Sequence, residues 1–152
     1  MPANPQLIEG LQVIVTQLAQ QADGHIIQSR IFGNQGFKKL EEKYAEHAEE
    51  ERGYVIKCID RLLDLGADVK WGATKDGVVH TDPIEWVKYD LEVSVNGLAY
   101  LKGLVELARD DYTTYDILKD YYKDEEEDMY WGEQQLELIE KIGKQNWLVK
   151  QL

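Results

Sequence analysis

The chain has little of several features that would each point to a particular class of protein. Its single cysteine, Cys58, permits no internal disulfide, so we expect a reducing cytoplasm as its environment. Three prolines, Pro2, Pro5 and Pro83, leave nearly the whole chain free to be helical. No apolar run approaches the roughly 20 residues that span a bilayer, and the amino terminus lacks the basic start and apolar core of a signal peptide. These absences predict a protein without a membrane partner.

Basic residues are also scarce relative to acidic ones. Lys and Arg together number 17 against 29 Asp and Glu, which gives a net charge of −12. Nucleic acids and anionic membranes are bound through an excess of basic residues, so neither is an expected partner. Cations are the expected ligands. At 152 residues with 43% apolar composition, the chain is long enough to bury a sizeable core as a single domain over 1–152.

Four long segments carry apolar residues at helical spacing, and they predict helices at about 5–32, 37–65, 83–109 and 114–142, with a short fifth helix at 145–151. Asn4 before Pro5, and Asp82 before Pro83, are each a capping residue followed by a first-turn proline. The segment 67–82 is too long for a helical hairpin, but it can cross the length of a bundle. The pattern predicts an all-α, ferritin-like four-helix bundle with a long crossover between the second and third helices.

Ionisable residues interrupt the apolar faces of these helices. A buried carboxylate is costly unless it pairs with a base, another acid or a metal, so such groups mark the bundle interior as the candidate functional region. Counting along the helices places Glu51, Glu125 and Asp128 in one layer near the middle, with His47 and Asp90 one turn away. His25 falls within about two turns of that layer. Carboxylates and imidazoles suit iron, manganese or zinc. The candidate metal ligands are Glu51, Glu125, Asp128, His47, Asp90, Tyr54 and His25.

Each candidate also has a structural interpretation. The acids could form a solvated or salt-bridged helix surface, and a buried histidine could be satisfied by a carbonyl or a neighbouring acid. Tyr54 could be a core aromatic whose hydroxyl finds a partner. Glu46, Glu49 and Glu50 flank the second helix's buried face, where they form either a solvated surface or, in the wall of a hollow shell, a surface that gathers ferric ions.

Three segments, in order along the chain, resemble bacterioferritin, a branch of the ferritin family. Ser29 to Leu40 (SRIFGNQGFKKL) is similar to the family's first turn. Asp124 to Glu126, followed by Trp131, is similar to its fourth-helix site, and Leu138 to Leu148 (LIEKIGKQNWL) is similar to its last turn and short final helix. The resemblance implies a subunit of a twenty-four-subunit shell, built from dimers, that stores iron as a ferric mineral.

The resemblance also implies a dinuclear iron-oxidising site, of which only part is present. The family uses one Glu from each of the first and third helices and a Glu-x-x-His from each of the second and fourth. Glu51 and Glu125 match the two bridging carboxylates. The histidine positions hold Tyr54 and Asp128, and the remaining carboxylate positions hold Leu18 and Ser94. We therefore expect an altered, weak ferroxidase centre.

Haem is not expected, because Arg52 stands where the family's haem-binding methionine would follow the second-helix glutamate. Several alternatives stay open on the sequence alone. A displaced metal site could use His47, Glu51 and Asp90 with His25 or Glu125. The chain could be a non-catalytic subunit in a shell with a second, competent subunit. It could also be a ferritin-like oxidoreductase that uses another metal or peroxide, or a metal-free interaction bundle whose acids are merely paired.

Overall fold

A computed structural model describes residues 4–152, and over that range the chain forms five α-helices and no strand. The helices are α1 (Pro5–Asn34), α2 (Lys38–Asp64), α3 (Pro83–Leu107), α4 (Tyr112–Ile142) and α5 (Lys144–Val149). This confirms the predicted fold class, and the helix ends lie within two residues of the predicted ones. No helix in residues 4–152 is long and apolar enough to cross a membrane. Met1–Ala3, on which part of the signal-peptide expectation rests, lie outside the described residues.

The two predicted capping residues cap their helices. Asn4 Oδ1 accepts a hydrogen bond of 2.9 Å from the backbone N–H of Gln6, with Pro5 in the first turn. Asp82 Oδ1 accepts a bond of the same 2.9 Å length from the Ile84 N–H at the start of α3. These side chains satisfy N–H groups that have no carbonyl partner within the helix, so they fix where each helix begins.

A third cap makes α4 begin two residues earlier than predicted. Asp111 accepts hydrogen bonds from both the backbone N–H and the hydroxyl of Thr114, at 3.1 Å and 2.6 Å. Arg61 on α2 donates to the same carboxylate at 2.9 Å. The aspartate therefore both starts α4 and ties that end of the helix to α2.

The long connection after α2 runs beside α1 as an extended strap, held by glutamine side chains of that helix. Gln12 bonds to the backbone of Lys70, Gln20 donates to Lys75 O and Gln35 donates to Thr81 O. Gln28 uses both ends of its amide, donating to His80 O at 2.8 Å and accepting from His80 N–H at 3.0 Å. The chain therefore returns to the carboxyl end of α1 before α3 starts, so α3 runs antiparallel to α1.

The bundle interior has two apolar ends. One contains Leu11 of α1, Leu62 of α2, Leu104 of α3 and Leu118 of α4. The other is built around Phe32, Leu40, Tyr44, Val87 and Trp147. Trp147 anchors α5 there, because its fully buried indole donates a hydrogen bond of 2.9 Å to Gln135. Ionisable side chains lie in the space between these two apolar ends. They form a polar layer, which is the candidate site.

Candidate metal centre

His25 of α1 lies at the centre of the polar layer, between two carboxylates. Its Nδ1 is 2.5 Å from Glu51 Oε1 on α2, and its Nε2 is 2.9 Å and 3.1 Å from the two oxygens of Asp90 on α3. Burial by itself lowers the pKa of His25, but the charges and hydrogen bonds of Asp90 and Glu51 outweigh it and raise the pKa well above the ordinary 6.5. A ring with both nitrogens facing carboxylates is protonated on both, so this layer contains its own cation.

Contacts to both of its carboxylate oxygens orient Glu51. Gln21, one turn before His25 on α1, donates from Nε2 to Glu51 Oε2 at 2.5 Å. Burial raises the pKa of Glu51, against the opposing effect of the hydrogen bond and charge of His25. Sequence analysis missed Gln21, although its spacing of four residues from His25 places it on the same helix face.

His25 and Glu51 are in direct contact, a detail that the counted register, which placed His25 within about two turns of that layer, does not give. Side chains on a helix lean toward that helix's amino end. Because α1 is antiparallel to both α2 and α3, this inclination moves His25 in the opposite direction along the bundle axis from Glu51 and Asp90, so residues whose α-carbons lie at different heights can touch. Counting α-carbons alone does not include this inclination.

His47 of α2 lies beside His25, with their ring centroids 5.5 Å apart, and it is almost fully buried. Neither ring nitrogen has a hydrogen-bond partner. Its nearest acid is Asp128, at 3.4 Å from Nε2, but the contact lacks hydrogen-bond geometry. Burial, followed by the charge of His25, lowers the pKa of His47 to about 3, so the ring is neutral and carries a free lone pair.

Glu125 and Asp128 of α4 complete the layer on its other side. Burial, then the nearby charge of Glu51, raises the pKa of Glu125 to about 7. Burial, followed by the nearby charge of Glu125, raises the pKa of Asp128 to about 8. The buried Ser94 hydroxyl of α3 opposes the rise in the pKa of Glu125. Four carboxyl groups therefore share one interior region with a single protonated imidazole, and their mutual repulsion favours protonation or a bound cation.

Aromatic rings enclose the two histidines. Tyr44 stacks on His25 at a centroid distance of 5.7 Å, and Trp131 meets His47 edge-on at 6.0 Å. Trp86 meets His25 edge-on at 6.1 Å. The Tyr44 hydroxyl and the Trp86 indole N–H are buried without a hydrogen-bond partner. Sequence analysis assigned neither Tyr44 nor Trp86 to the site.

The remaining predicted residues lie at the edge of this layer or outside it. Tyr54 is half-buried, and its ring packs on Tyr121 at a centroid distance of 5.1 Å. The three glutamates predicted to gather ferric ions are exposed on α2; they are Glu46, Glu49 and Glu50. Burial raises the pKa of Glu50, and the charges of Asp124 and Glu46 raise it further, so these acids form one surface patch with α4.

Two carboxylate positions of a bacterioferritin-type dinuclear site hold neither a carboxylate nor an imidazole. Leu18 is buried and offers no ligand atom, and the buried Ser94 offers only a hydroxyl. Glu51 is held by His25 and Gln21 rather than being free to bridge. Among residues 4–152, three ionisable side chains do have the arrangement of metal ligands: ligand atoms of His25, His47 and Asp90 all lie within 4.8 Å of one another.

The surface position that would present a haem ligand carries a charged pair instead. Arg52 donates to Asp23 of α1 within the same chain, and both side chains are exposed. A guanidinium has no lone pair to offer a haem iron, so this position does not fit the group.

The four long helices, the strap between α2 and α3, the short α5 and the buried layer of acids and histidines define a ferritin-like four-helix bundle. Residues 14–142 match the family model described as ferritin-like domain. The chain belongs to the ferritin family.

Curated relatives match the chain over its full length. It is 32% identical to proteins named bacterial ferritin from Neisseria meningitidis serogroup B and Pseudomonas aeruginosa, with all of both chains covered in each comparison. It is 24% identical to a protein named bacterioferritin from Streptomyces coelicolor, over 97% of this chain and 90% of that one. Membership of this family supports a role in iron storage.

Proposed function

We propose that this chain is an iron-storage subunit that assembles into a bacterioferritin-like shell of twenty-four copies and has an altered, weak ferroxidase centre. The proposal includes a single domain over 1–152 and a cytoplasmic location. The observation that carries it is the polar layer itself. Ferritin-like helices bring four carboxyl groups together, yet His25 takes the position between Glu51 and Asp90 that a cation would otherwise occupy.

Assembly is supported by the apolar surface of the isolated chain. Large apolar side chains are exposed on α1, α2 and the strap. Trp71 of the strap is fully exposed, and Ile56 and Leu63 of α2 are more than half exposed. In an assembly, these side chains would be available for burial between subunits. In a shell, the exposed acids Glu46, Glu49 and Glu50 would collect ferric ions on the cavity side.

Weak iron oxidation follows from the ligand set. Only Glu51 and Glu125 match carboxylates of the family's site, and burial raises the pKa of both. Both oxygens of Glu51 already contact His25 or Gln21, so two ferrous ions would compete with those groups for the same oxygens. In such a shell, rapid oxidation would depend on a second, competent subunit.

Solution size tests the assembly. Twenty-four copies of a 17.6 kDa chain make a particle of about 420 kDa, which light scattering separates from a dimer or monomer. The purified chain should elute at the larger size under reducing conditions and retain ferric iron after ferrous iron and oxygen are supplied. A small species that holds no iron would rule out storage by this chain alone.

Oxidation kinetics test the altered centre. We expect the purified chain to oxidise ferrous iron slowly, without a fast first phase that saturates near two irons per chain. Glu51→Ala with Glu125→Ala should remove the residual binding inside the bundle, measured by elemental analysis after gel filtration. A fast two-iron phase in the unmodified chain, lost in that double variant, would show that an intact ferroxidase centre is present after all.

A further inference from the structure

We propose that His25, His47 and Asp90 bind one divalent transition-metal ion, at a mononuclear site separate from the family's dinuclear positions. The three side chains come from α1, α2 and α3, and their ligand atoms already lie within 4.8 Å of one another. Two ligands in one tetrahedral or octahedral shell are about 3 to 3.5 Å apart, so side-chain rotation by a small amount would close the group on an ion.

His47 gives an independent reason to place a ligand here. Its imidazole is buried, and both nitrogens lack a hydrogen-bond partner, which is costly for a group that could otherwise bond to water. A metal ion beside the ring would satisfy one nitrogen. His25 lies only 5.5 Å away between ring centroids, and one ligand atom of each histidine lies within 4.8 Å of an Asp90 oxygen.

The surroundings of His25 match those of a metal-bound histidine. Such a ligand binds the metal through one nitrogen and gives the other N–H to a carboxylate, which fixes the ring. Here Nδ1 bonds Glu51 and Nε2 faces Asp90. An incoming ion would replace the proton on Nε2, which leaves to solvent, and would be shared by His25 and Asp90. Glu51, oriented by Gln21, would remain the carboxylate behind the ring.

A cleft provides an entry path to this position. It has a volume of about 210 Å³ and lies between α1, α3 and the strap. His25 and Asp90 line it together with Gln21, Trp86 and Gly77. An ion entering from solvent would therefore meet Asp90 and His25 first, and water in the cleft could fill coordination positions that the protein leaves open.

The ligand chemistry selects the class of ion. Two imidazoles and one carboxylate suit Fe²⁺, Co²⁺ or Zn²⁺, whereas Mg²⁺ and Ca²⁺ prefer all-oxygen ligands. The site lies within one chain, so the inference does not depend on shell assembly or on mineral storage. It concerns different residues from Leu18, Ser94, Glu125 and Asp128, which hold family positions in the dinuclear site.

Cobalt titration of the full-length, metal-free protein tests this site. We expect one Co²⁺ per chain and visible d–d absorption from a site with nitrogen and oxygen ligands. His47→Gln and Asp90→Asn should each weaken Co²⁺ binding at least about tenfold. The chain has three histidines, and the third, His80, lies in the strap and supplies the matched control: His80→Gln should leave affinity and spectrum unchanged.

Crystals grown with Co²⁺ give a readout that does not depend on the variants folding. An anomalous peak at the cobalt edge between the imidazoles of His25 and His47 and the Asp90 carboxylate would establish the site. The proposal would be overturned by two anomalous peaks beside Glu51 and Glu125, or by the absence of bound Co²⁺. It would also be overturned if the His47→Gln variant bound Co²⁺ as well as the unmodified protein. Particle size, measured on the same sample, reports separately on whether the proposed storage shell forms.

Discussion

His25 and Glu51 form a hydrogen bond of 2.5 Å in the buried middle of the bundle, and the two residues belong to antiparallel helices. Asp90 bonds the other side of the same ring. The imidazole on α1 is therefore the positive group between two carboxyls, the buried Glu51 on α2 and the partly buried Asp90 on α3. Removing it would leave both without their partner.

We expect His25→Leu to destabilise the metal-free protein by about 3 kcal/mol or more, because it leaves buried acids uncompensated. In a domain of this size that corresponds to a fall in Tm on the order of 10 °C, measured by circular dichroism at pH 7. His80→Leu is the control and should change the Tm little. Adding Glu51→Gln to His25→Leu should restore part of the loss, since an amide costs less to bury than a carboxylate; an unchanged Tm in His25→Leu would contradict the pairing.

The cap of α4 gives a prediction about pH. Burial alone would raise the pKa of Asp111, but the hydrogen bonds from Thr114 and the charge of Arg61 outweigh it and hold the pKa below the ordinary 3.8. A carboxyl with a lowered pKa stabilises the fold above its unfolded value, and that stabilisation is lost as the pH falls through the folded value.

Asp111→Ala should therefore cost about 1 to 2 kcal/mol at pH 7 and progressively less below pH 4. Thermal melts of both proteins between pH 7 and pH 3 measure the difference. Asp110→Ala, at the exposed neighbouring position, should show little loss at any pH. If the loss of stability in Asp111→Ala stays constant down to pH 3, the carboxylate charge contributes nothing to the cap.

The strap should loosen when its buried anchor is removed. Gln28 is fully buried and holds both the N–H and the C=O of His80. Gln28→Ala should speed hydrogen exchange in peptides around His80 by about tenfold or more, because one protecting hydrogen bond is lost and its carbonyl partner is left unsatisfied. Mass spectrometry measures this. Gln17→Ala, on an exposed part of α1, should leave the same peptides unchanged.

Cys58 should be chemically inert in the native protein. The thiol is buried among apolar side chains, and burial raises its pKa to about 12. At pH 8 only about one thiol in 10⁴ would be ionised, so an aromatic disulfide reagent should not label it. In denaturant the same reagent should report one thiol per chain, with Cys58→Ala as the blank. Prompt labelling without denaturant would show that this end of the core opens readily.

The sequence predicted the fold well because its signals are local. Asn4 with Pro5, and Asp82 with Pro83, are cap and first-turn pairs that act over a few residues, and the structure has both. The cap at Asp111 was missed because it depends partly on Arg61, which lies 50 residues earlier. The glutamines that hold the strap recur at seven or eight residues along α1, a spacing that would have indicated one shared face.

The site was only partly predictable for a different reason. Helical spacing gave the residues that point inward, including His25, His47, Glu51 and Asp90, but not which of them touch. The contacts depend on the inclination of side chains on antiparallel helices, and on partners such as Gln21 that carry no charge. Spacing therefore identifies which residues lie in the layer. Which of them form hydrogen bonds with each other can be seen only in the three-dimensional structure.

The polar layer also determines how the helices align along the bundle axis. Moving α1 by one turn, about 5.4 Å, would carry His25 away from Glu51 and Asp90 and place an imidazole among leucines or aromatic rings. Apolar contacts alone would tolerate such sliding, since leucine packs against leucine at many offsets. A central set of charged groups makes every other offset costly, so the residues that gather a cation here also select one alignment of the helices.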